Sequence, residues 1–149
     1  MAQISILKLK KKYATEMKTI LGRRLNRQDG IERTSLAASE KRLKLSLPRA
    51  LRLYYQVAGK LAINKEHNFL YEPKELTKLD AKLVFMEENQ AVVFWGVDIK
   101  AIDQSDPEVF QANNETPLIW YSEGLSFSDF IIQMWRWQRA LDHRPYQSF

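Results

Sequence analysis

The apolar positions in the first sixty residues recur at intervals of three and four, which is the period of an amphipathic helix. One such pattern spans residues 6–25, with lysines and arginines on its other side, and a second spans residues 35–45. Between them, Arg27-Gln28-Asp29-Gly30 predicts a turn in which Gly30 can adopt a positive φ. The pattern therefore predicts two helices joined by a short connection.

A third helix is predicted within the segment SLPRALRLYYQVAGK. Pro48 suits a first helical position, because the N–H that it lacks would have no partner inside the helix. Gly59 suits the end of this helix. The apolar residues of the segment fall on one side, which predicts that they are buried: Leu47, Leu51, Tyr54, Tyr55 and Ala58.

Beyond Gly59 the apolar period changes towards two, which is the period of a strand. Short strands are predicted at residues 68–71, 83–86, 91–99, 108–111 and 117–121, with a helical turn at residues 72–76. Glu88, Asn89 and Gln90 are polar residues between two β-rich runs and predict a hairpin connection. Turns are also predicted at Asp106-Pro107 and Asn113-Asn114.

The last pattern returns to helical spacing. Ser126 suits an N-cap and Asp129 lies three residues later, near the positive end of the helix dipole. The predicted apolar stripe places Trp137 in the core, leaves Trp135 unassigned and ends at Arg144-Pro145; its members are Phe127, Phe130, Met134, Trp137 and Leu141. Helices, an antiparallel meander and a closing helix together predict a single α+β domain with a central antiparallel sheet.

Composition narrows the chemistry that this domain can perform. The 149 residues include no cysteine, which excludes disulfides, thiolate zinc sites and cysteine nucleophiles, and only two histidines, His67 and His143. No apolar run is long enough for a membrane span, and the N-terminus does not resemble a signal peptide. We therefore expect a cytoplasmic protein.

The charge is distributed unevenly along the chain. Residues 1–60 carry 15 Lys and Arg against 4 Asp and Glu, a net charge of +11, whereas residues 61–149 carry 8 against 14, a net charge of −6. Solvated helix faces of opposite sign are the plainest explanation. The basic segment could alternatively contact nucleic acid or an anionic membrane, but it has no nucleic-acid-binding motif and no interleaved aromatic residues.

Several carboxylates in the second half could suggest acid–base or metal chemistry. Glu87 and Glu88 are adjacent in a predicted strand and so point to opposite faces. Asp98, Asp103 and Asp106 lack the glycine and the alternating ligands of a calcium loop. We therefore expect no catalytic residue, metal or cofactor.

The chain contains an ordered set of local motifs. Their residues are Glu40, Leu43, Leu47, Pro48, Leu51, Tyr54, Tyr55 and Gly59, then Phe85 and Glu87 to Gln90, then Trp95-Gly96-Val97, Asp106-Pro107, Val109, Ser126-Phe127 and Phe130. This ordered set resembles the SUKH superfamily, also called the SMI1/KNR4-like domain family. The resemblance covers residues 32–141, so residues 1–30 are interpreted as a basic helical extension packed on the domain and residues 31–149 as the SUKH-like domain.

This resemblance implies an α+β domain without shared catalytic residues. It implies protein binding, either as a bacterial immunity protein that neutralises a toxin, often a nuclease, or as a regulatory interaction protein. The positions that it marks as structural are Pro48 and Gly59 around a helix, Asn89 and Gln90 in a turn, and Trp95, Trp120 and Phe130 in the core. We expect a monomer or a weak dimer.

Charge complementarity predicts where a toxin would bind. Nucleases present basic surfaces to phosphate, so an inhibitor would offer carboxylates in its place. The predicted contact surface consists of Glu87, Glu88, Asp98, Asp103, Asp106 and Glu108. The alternatives that remain open are a scaffold protein without a toxin partner and a nucleic-acid-binding accessory protein.

Overall fold

The computed structural model describes residues 3–101 and 103–142, which form four helices and a six-stranded antiparallel sheet in one domain. The helices are α1 (Ile6–Leu21), α2 (Arg33–Leu43), α3 (Arg49–Ala58) and α4 (Phe127–Asp142). The strands are β1 (Phe69–Leu70), β2 (Thr77–Leu79), β3 (Lys82–Glu87), β4 (Val93–Asp98), β5 (Glu108–Asn113) and β6 (Trp120–Ser126). The predicted α+β class is confirmed, while His143 and Arg144-Pro145 lie outside the described residues.

Helix α1 is shorter than the apolar pattern predicted. It begins after Ser5, whose Oγ accepts a hydrogen bond from the Lys8 N–H at 3.1 Å. It ends at Gly22, where φ is +75°. Its buried face consists of Leu9, Tyr13 and Met17 and packs against α3 and α4. The prediction ran to residue 25 because Leu25 continues the apolar spacing beyond this glycine.

The N-terminal segment is also fastened to the connection between β4 and β5. The Ile4 N–H donates to Ser105 Oγ at 2.8 Å, and the Ser105 N–H donates to Gln3 Oε1 at 2.6 Å. The Ser105 carbonyl accepts from the Ala50 N–H at 2.8 Å, at the start of α3. Ser105 therefore joins three segments that are far apart in sequence.

The predicted positive φ at Gly30 is wrong. Residues Arg27–Asp29 form a 3₁₀ turn, and Gly30 follows it with a φ of −101°. Glycine is needed here for close approach, because a Cβ at this position would lie 1.8 Å from the Gln56 carbonyl oxygen in α3. Asp29 anchors the same turn by accepting two hydrogen bonds from Arg23, each at 2.9 Å. These bonds lower the pKa of the Asp29 carboxyl.

The boundaries of α3 fall close to the prediction. Pro48 is the N-cap instead of the first helical residue, which is a shift of one position. Gly59 is the C-cap, and its N–H donates to the Tyr55 carbonyl at 3.0 Å. The side predicted to be apolar is buried throughout, from Leu47 to Ala58.

The main path of the sheet has the order β1-β3-β4-β5-β6, and β2 also pairs with β3. The hairpin between β3 and β4 contains Asn89 and Gln90, as predicted, and Ala91 closes it with a φ of +56°. Strand β2 was not predicted. Strand β6 begins at Trp120 instead of residue 117 and extends to Ser126. It carries an irregularity around Gly124, where φ is +72°.

Helix α4 covers one face of the sheet, which we call the inner face. Phe85 contacts Phe127 and Phe130 edge to face, with ring centroids 5.1 and 5.8 Å apart. Trp95 lies 5.9 Å from the Phe130 ring, so the expected core positions of Trp95 and Phe130 are confirmed. In contrast, Trp137 is 44% exposed and Trp135 is fully buried, so the prediction for Trp137 is wrong.

Trp120 is also outside the core, contrary to the expectation. It pairs with Ala112, which pairs with Phe94, and this register places all three residues on the outer face, opposite Trp95. The Trp120 ring is half-buried, and its Nε1–H donates to Asp80 Oδ2 at 3.3 Å. Lys82 Nζ lies 5.7 Å from the centroid of this ring. Trp120 therefore packs against polar groups of the outer face instead of the helices.

Candidate interaction surface

The structure separates the six acidic residues that were predicted to form one contact surface. Glu87 pairs with Phe94 on the outer face and accepts a hydrogen bond from the Tyr71 hydroxyl at 3.0 Å. Glu88 follows directly, but this residue lines a cleft on the inner face beside Trp95. The two adjacent carboxylates therefore serve different sides of the sheet.

Asp98 and Glu108 belong to the outer face, at the ends of β4 and β5. Asp98 Oδ2 lies 4.0 Å from Lys82 Nζ. Glu108 is exposed and accepts a hydrogen bond from the Ser122 hydroxyl at 2.6 Å. Their charges are partly engaged within the sheet.

Asp106 has a structural position at the start of α4. Its Oδ1 accepts from the Ser128 N–H at 2.8 Å, and its Oδ2 accepts from the Ser128 hydroxyl at 2.6 Å. Ser126, the predicted cap, also accepts from the Asp129 N–H, at 3.4 Å. A carboxylate that satisfies the first N–H groups of a helix stabilises the fold. The main role of Asp106 is therefore to cap α4, and both of its carboxylate oxygens are already engaged.

Asp103 lies in basic surroundings. It lines a cavity of about 820 Å³ together with residues of the first three helices. The charged side chains around this cavity include Lys10, Arg33, Arg49, Arg52, Glu40 and Asp103. Arg52 pairs with Glu40 there, and elsewhere on α1 Lys12 pairs with Asp129 and Glu16 with Arg136. Part of the charge of residues 1–60 is therefore paired within the domain and is not available to a partner.

A second concave region is smaller and chemically more distinctive. It holds about 450 Å³ between the inner face of the sheet and α4. We call it the aromatic cleft. The lining residues that characterise it are His67, Asn68, Glu88, Trp95, Glu123 and Trp137, with Phe130 and Met134 among the others.

Aromatic rings form the walls of this cleft. His67 and Trp137 meet edge to face, with ring centroids 5.3 Å apart. Trp95 is almost completely buried, and its Nε1–H donates to Glu123 Oε1 at 3.3 Å. The two indoles come from rigid elements, β4 and α4, so the protein does not have to order them when a ligand binds.

The charge of the cleft has a single sign. Two carboxylates, Glu88 and Glu123, belong to its lining, and none of the described lining residues is lysine or arginine. Within the described chain, the Glu88 side chain has no hydrogen-bond or ion-pair partner. The cleft is therefore an anionic, aromatic site.

Asn68 contributes an unsatisfied acceptor. Its side chain is buried, with 4% of the residue exposed, and its Nδ2 donates to the Met134 sulfur at 3.3 Å. Its Oδ1 is buried and has no hydrogen-bond partner among residues 3–101 and 103–142. Buried polar atoms are almost always paired in folded proteins, so an orphaned acceptor beside a cleft requires an explanation.

The sequence did not reveal this cleft because its residues come from separate segments. Glu123 lies in the part of β6 that the prediction left outside a strand, and Trp137 was assigned to the core. An alternative phase of the last helix was visible, since Ile131, Trp135 and Gln138 also recur at helical spacing. That phase would have pointed Trp137 outwards.

In the described residues, no group of three or more His, Asp or Glu side chains is arranged to hold a metal ion, and no helix there is long and apolar enough to cross a membrane. Comparisons with family models, curated proteins and solved structures found no match to this chain.

Proposed function

We propose that this chain is a SUKH-like protein-binding domain that neutralises a toxin by binding it, without catalysing a reaction. The observation that carries this proposal is the aromatic cleft. It combines exposed tryptophan surface with two carboxylates on a rigid scaffold. Trp is strongly enriched among the residues that dominate binding energy at protein interfaces, and those residues cluster in pockets from which water is excluded.

The charge of the cleft supports a basic partner. All of its lining residues fall between positions 67 and 137, within the part of the chain that carries the net charge of −6. Nuclease toxins bind phosphate through basic surfaces, and an anionic inhibitor would associate with such a surface rapidly and selectively. Glu88 is the one predicted contact residue that lines this cleft.

Inhibition of a toxin by binding requires only that the two surfaces are complementary. The inhibitor must bind tightly and release slowly, and neither property requires a cofactor or a reactive side chain. A preformed cleft favours both, because little conformational entropy is lost on binding.

The direct test is to co-express this chain with a toxin domain encoded next to its gene. We expect the chain to restore growth and to co-purify with the toxin at a one-to-one ratio. Trp137→Ala should weaken binding by at least about tenfold, as expected for an interface hot spot. Lys18→Ala on the exposed face of α1 is the control and should leave binding unchanged.

Two results would redirect the proposal. A stable complex with a neighbouring protein that has no toxicity would support the scaffold alternative. Binding of nucleic acid with a steep salt dependence, abolished by substitution of Lys10 and Arg33, would support the accessory-protein alternative.

A further inference from the structure

We infer that the aromatic cleft is a receptor for one arginine side chain of the protein partner. This inference rests on the proposed protein-binding function and assigns a chemical specificity to it. The occupant is defined by three properties of the cleft, namely its rings, its carboxylates and its orphaned acceptor.

The rings favour a cation that is also flat. Guanidinium groups stack on indole faces, and a cation within about 6 Å of a ring centroid gains cation–π energy, most of all with Trp. Trp95 and Trp137 supply two indoles, and Trp137 remains 44% exposed and open to contact. An aliphatic side chain could fill the same space but would leave two carboxylates unpaired.

The carboxylates favour a donor with several N–H groups. Glu123 already accepts from Trp95 through Oε1, which fixes its orientation and leaves Oε2 for a ligand. Glu88 brings a second carboxylate to the lining. A guanidinium presents five N–H donors in a planar arrangement and can serve two carboxylates at once, in charge-assisted hydrogen bonds.

Asn68 offers an acceptor for a further N–H group of the guanidinium. Its buried Oδ1 has no partner among the described residues, and its amide contacts the sulfur of Met134, which also lines the cleft. Methionine side chains are unbranched and adaptable. We therefore expect Met134 to shift when the cleft is filled and to open Asn68 Oδ1 to the remaining guanidinium N–H groups.

Arginine fits these demands better than lysine does. An ammonium group is compact, strongly hydrated and has three donors, so it cannot stack on an indole as a flat surface. Anionic ligands are disfavoured because both charged lining residues are carboxylates. The partner is therefore expected to insert an arginine from an exposed loop or terminus.

The experiment uses the complete chain and three tripeptide probes with blocked ends: Gly-Arg-Gly, Gly-Lys-Gly and Gly-citrulline-Gly. Citrulline keeps the planar shape of arginine and removes its charge. Binding is followed by the NMR signals of the indole N–H groups of Trp95 and Trp137. We expect saturable shifts with the arginine probe and a dissociation constant at least about fivefold lower than with either other probe.

Variants then assign the contacts. Glu88→Gln and Glu123→Gln should each raise the dissociation constant of the arginine probe about threefold or more, since each removes one charge-assisted bond. Glu115→Gln, at an exposed position between β5 and β6, is the matched control and should have no effect. Backbone amide spectra of every variant verify that the fold is retained.

The outcomes distinguish failure of the arginine-receptor inference from failure of the proposed function. Absence of saturable shifts, equal affinity for citrulline or lysine, or unchanged affinity in both cleft variants would overturn the inference. Toxin neutralisation that is insensitive to Glu88→Gln and Glu123→Gln would also overturn it while leaving the proposed function intact. Arginine binding without any neutralised toxin would leave the cleft assignment intact and contradict the proposed function.

Discussion

Trp135 in α4 donates its indole N–H to the hydroxyl of Tyr54 in α3 at 2.7 Å. The Tyr54 hydroxyl in turn donates to Asn64 Oδ1 at 2.6 Å, and Asn64 Nδ2 donates to the Ala58 carbonyl at 2.8 Å. All four residues are buried. A polar chain inside an apolar core is stable only when its members are paired, so this relay fixes how α4 sits against α3.

The relay gives the two tryptophans of α4 opposite roles. Trp135→Phe removes the donor and leaves the Tyr54 hydroxyl without it, so we expect the free energy of unfolding to fall by about 1–3 kcal/mol. Trp137→Phe should change it by less than about 0.5 kcal/mol, because the ring is at the surface. Urea unfolding of both variants measures the difference. Equal losses would contradict the assigned roles.

Alkaline pH should destabilise the fold through its buried tyrosines. Burial raises the pKa of Tyr13, Tyr54 and Tyr55 above the ordinary value of 10.0. Their stabilisation is complete below the unfolded pKa, and it is lost as the pH rises, because only the unfolded chain releases these protons. These three protons alone contribute a slope that approaches about 4 kcal/mol per pH unit above about pH 11, and the raised pKa of Tyr71 adds to it.

The alkaline slope can be assigned by substitution. Tyr13→Phe removes one ionisable group, so the slope should fall by the contribution of one proton, about 1.4 kcal/mol per pH unit, even though the hydrogen bond to the Ala50 carbonyl is lost. Unfolding is followed by circular dichroism between pH 9 and 12, values chosen to bracket the unfolded pKa of about 10. An unchanged slope would show that Tyr13 ionises in the folded chain.

Substitution of Gly30 should be strongly destabilising, because there is no room for a side chain beside α3. In Gly30→Ala the new methyl group would meet the Gln56 carbonyl at 1.8 Å, so the 3₁₀ turn and α3 must separate. We expect a loss of about 3 kcal/mol or more in unfolding free energy. Gly22→Ala is the control: the position is open but has a positive φ, so the cost should be about 1 kcal/mol. Similar losses would contradict the close-approach argument.

Separation of the acidic residues changes how the contact surface should be tested. Glu88→Lys reverses a charge in the aromatic cleft and should lower the association rate with a basic toxin about tenfold at low ionic strength. The same reversal at Asp103, which lines a cavity together with three arginines and one lysine, should have little effect. Stopped-flow mixing at two salt concentrations measures both rates. Reversed sensitivities would place the partner on the basic side of the molecule.

Periodicity predicted most of the fold because it depends on the local spacing of apolar residues. It predicted the helices before residue 60 and the hairpin at Asn89, because each of these elements has a buried side and an exposed side that are clearly distinct in sequence. It failed where two solutions fit equally well. In α4, the stripes through Trp135 and through Trp137 share Phe127, and only packing on the sheet decides between them.

The prediction covered only the first two residues of β6, Trp120 and Tyr121, and missed the rest of the strand for a different reason. Strand β6 is an edge strand with exposed polar residues and Gly124 at positive φ, so it lacks regular alternation. The aromatic cleft depends on this strand for Glu123 and on a distant helix for Trp137. A site assembled from several segments becomes visible only when the sheet register is known.

Fastening of the first residues to Ser105 has a consequence for synthesis of the chain on the ribosome. Some partners of this segment are synthesised more than a hundred residues after it, since Ile4 pairs with Ser105 and Lys12 pairs with Ser128 and Asp129 in α4. Tyr13 finds its α3 partners, Ala50 and Tyr54, much earlier. The apolar face formed by Leu9, Tyr13 and Met17 is fully covered only after both α3 and α4 have been synthesised. Contacts over more than a hundred residues close slowly, so the nascent chain has to keep this helix from aggregating. We expect the five lysines and one glutamate of α1 to give that protection, because like charges on nascent helices repel one another and keep the apolar faces apart.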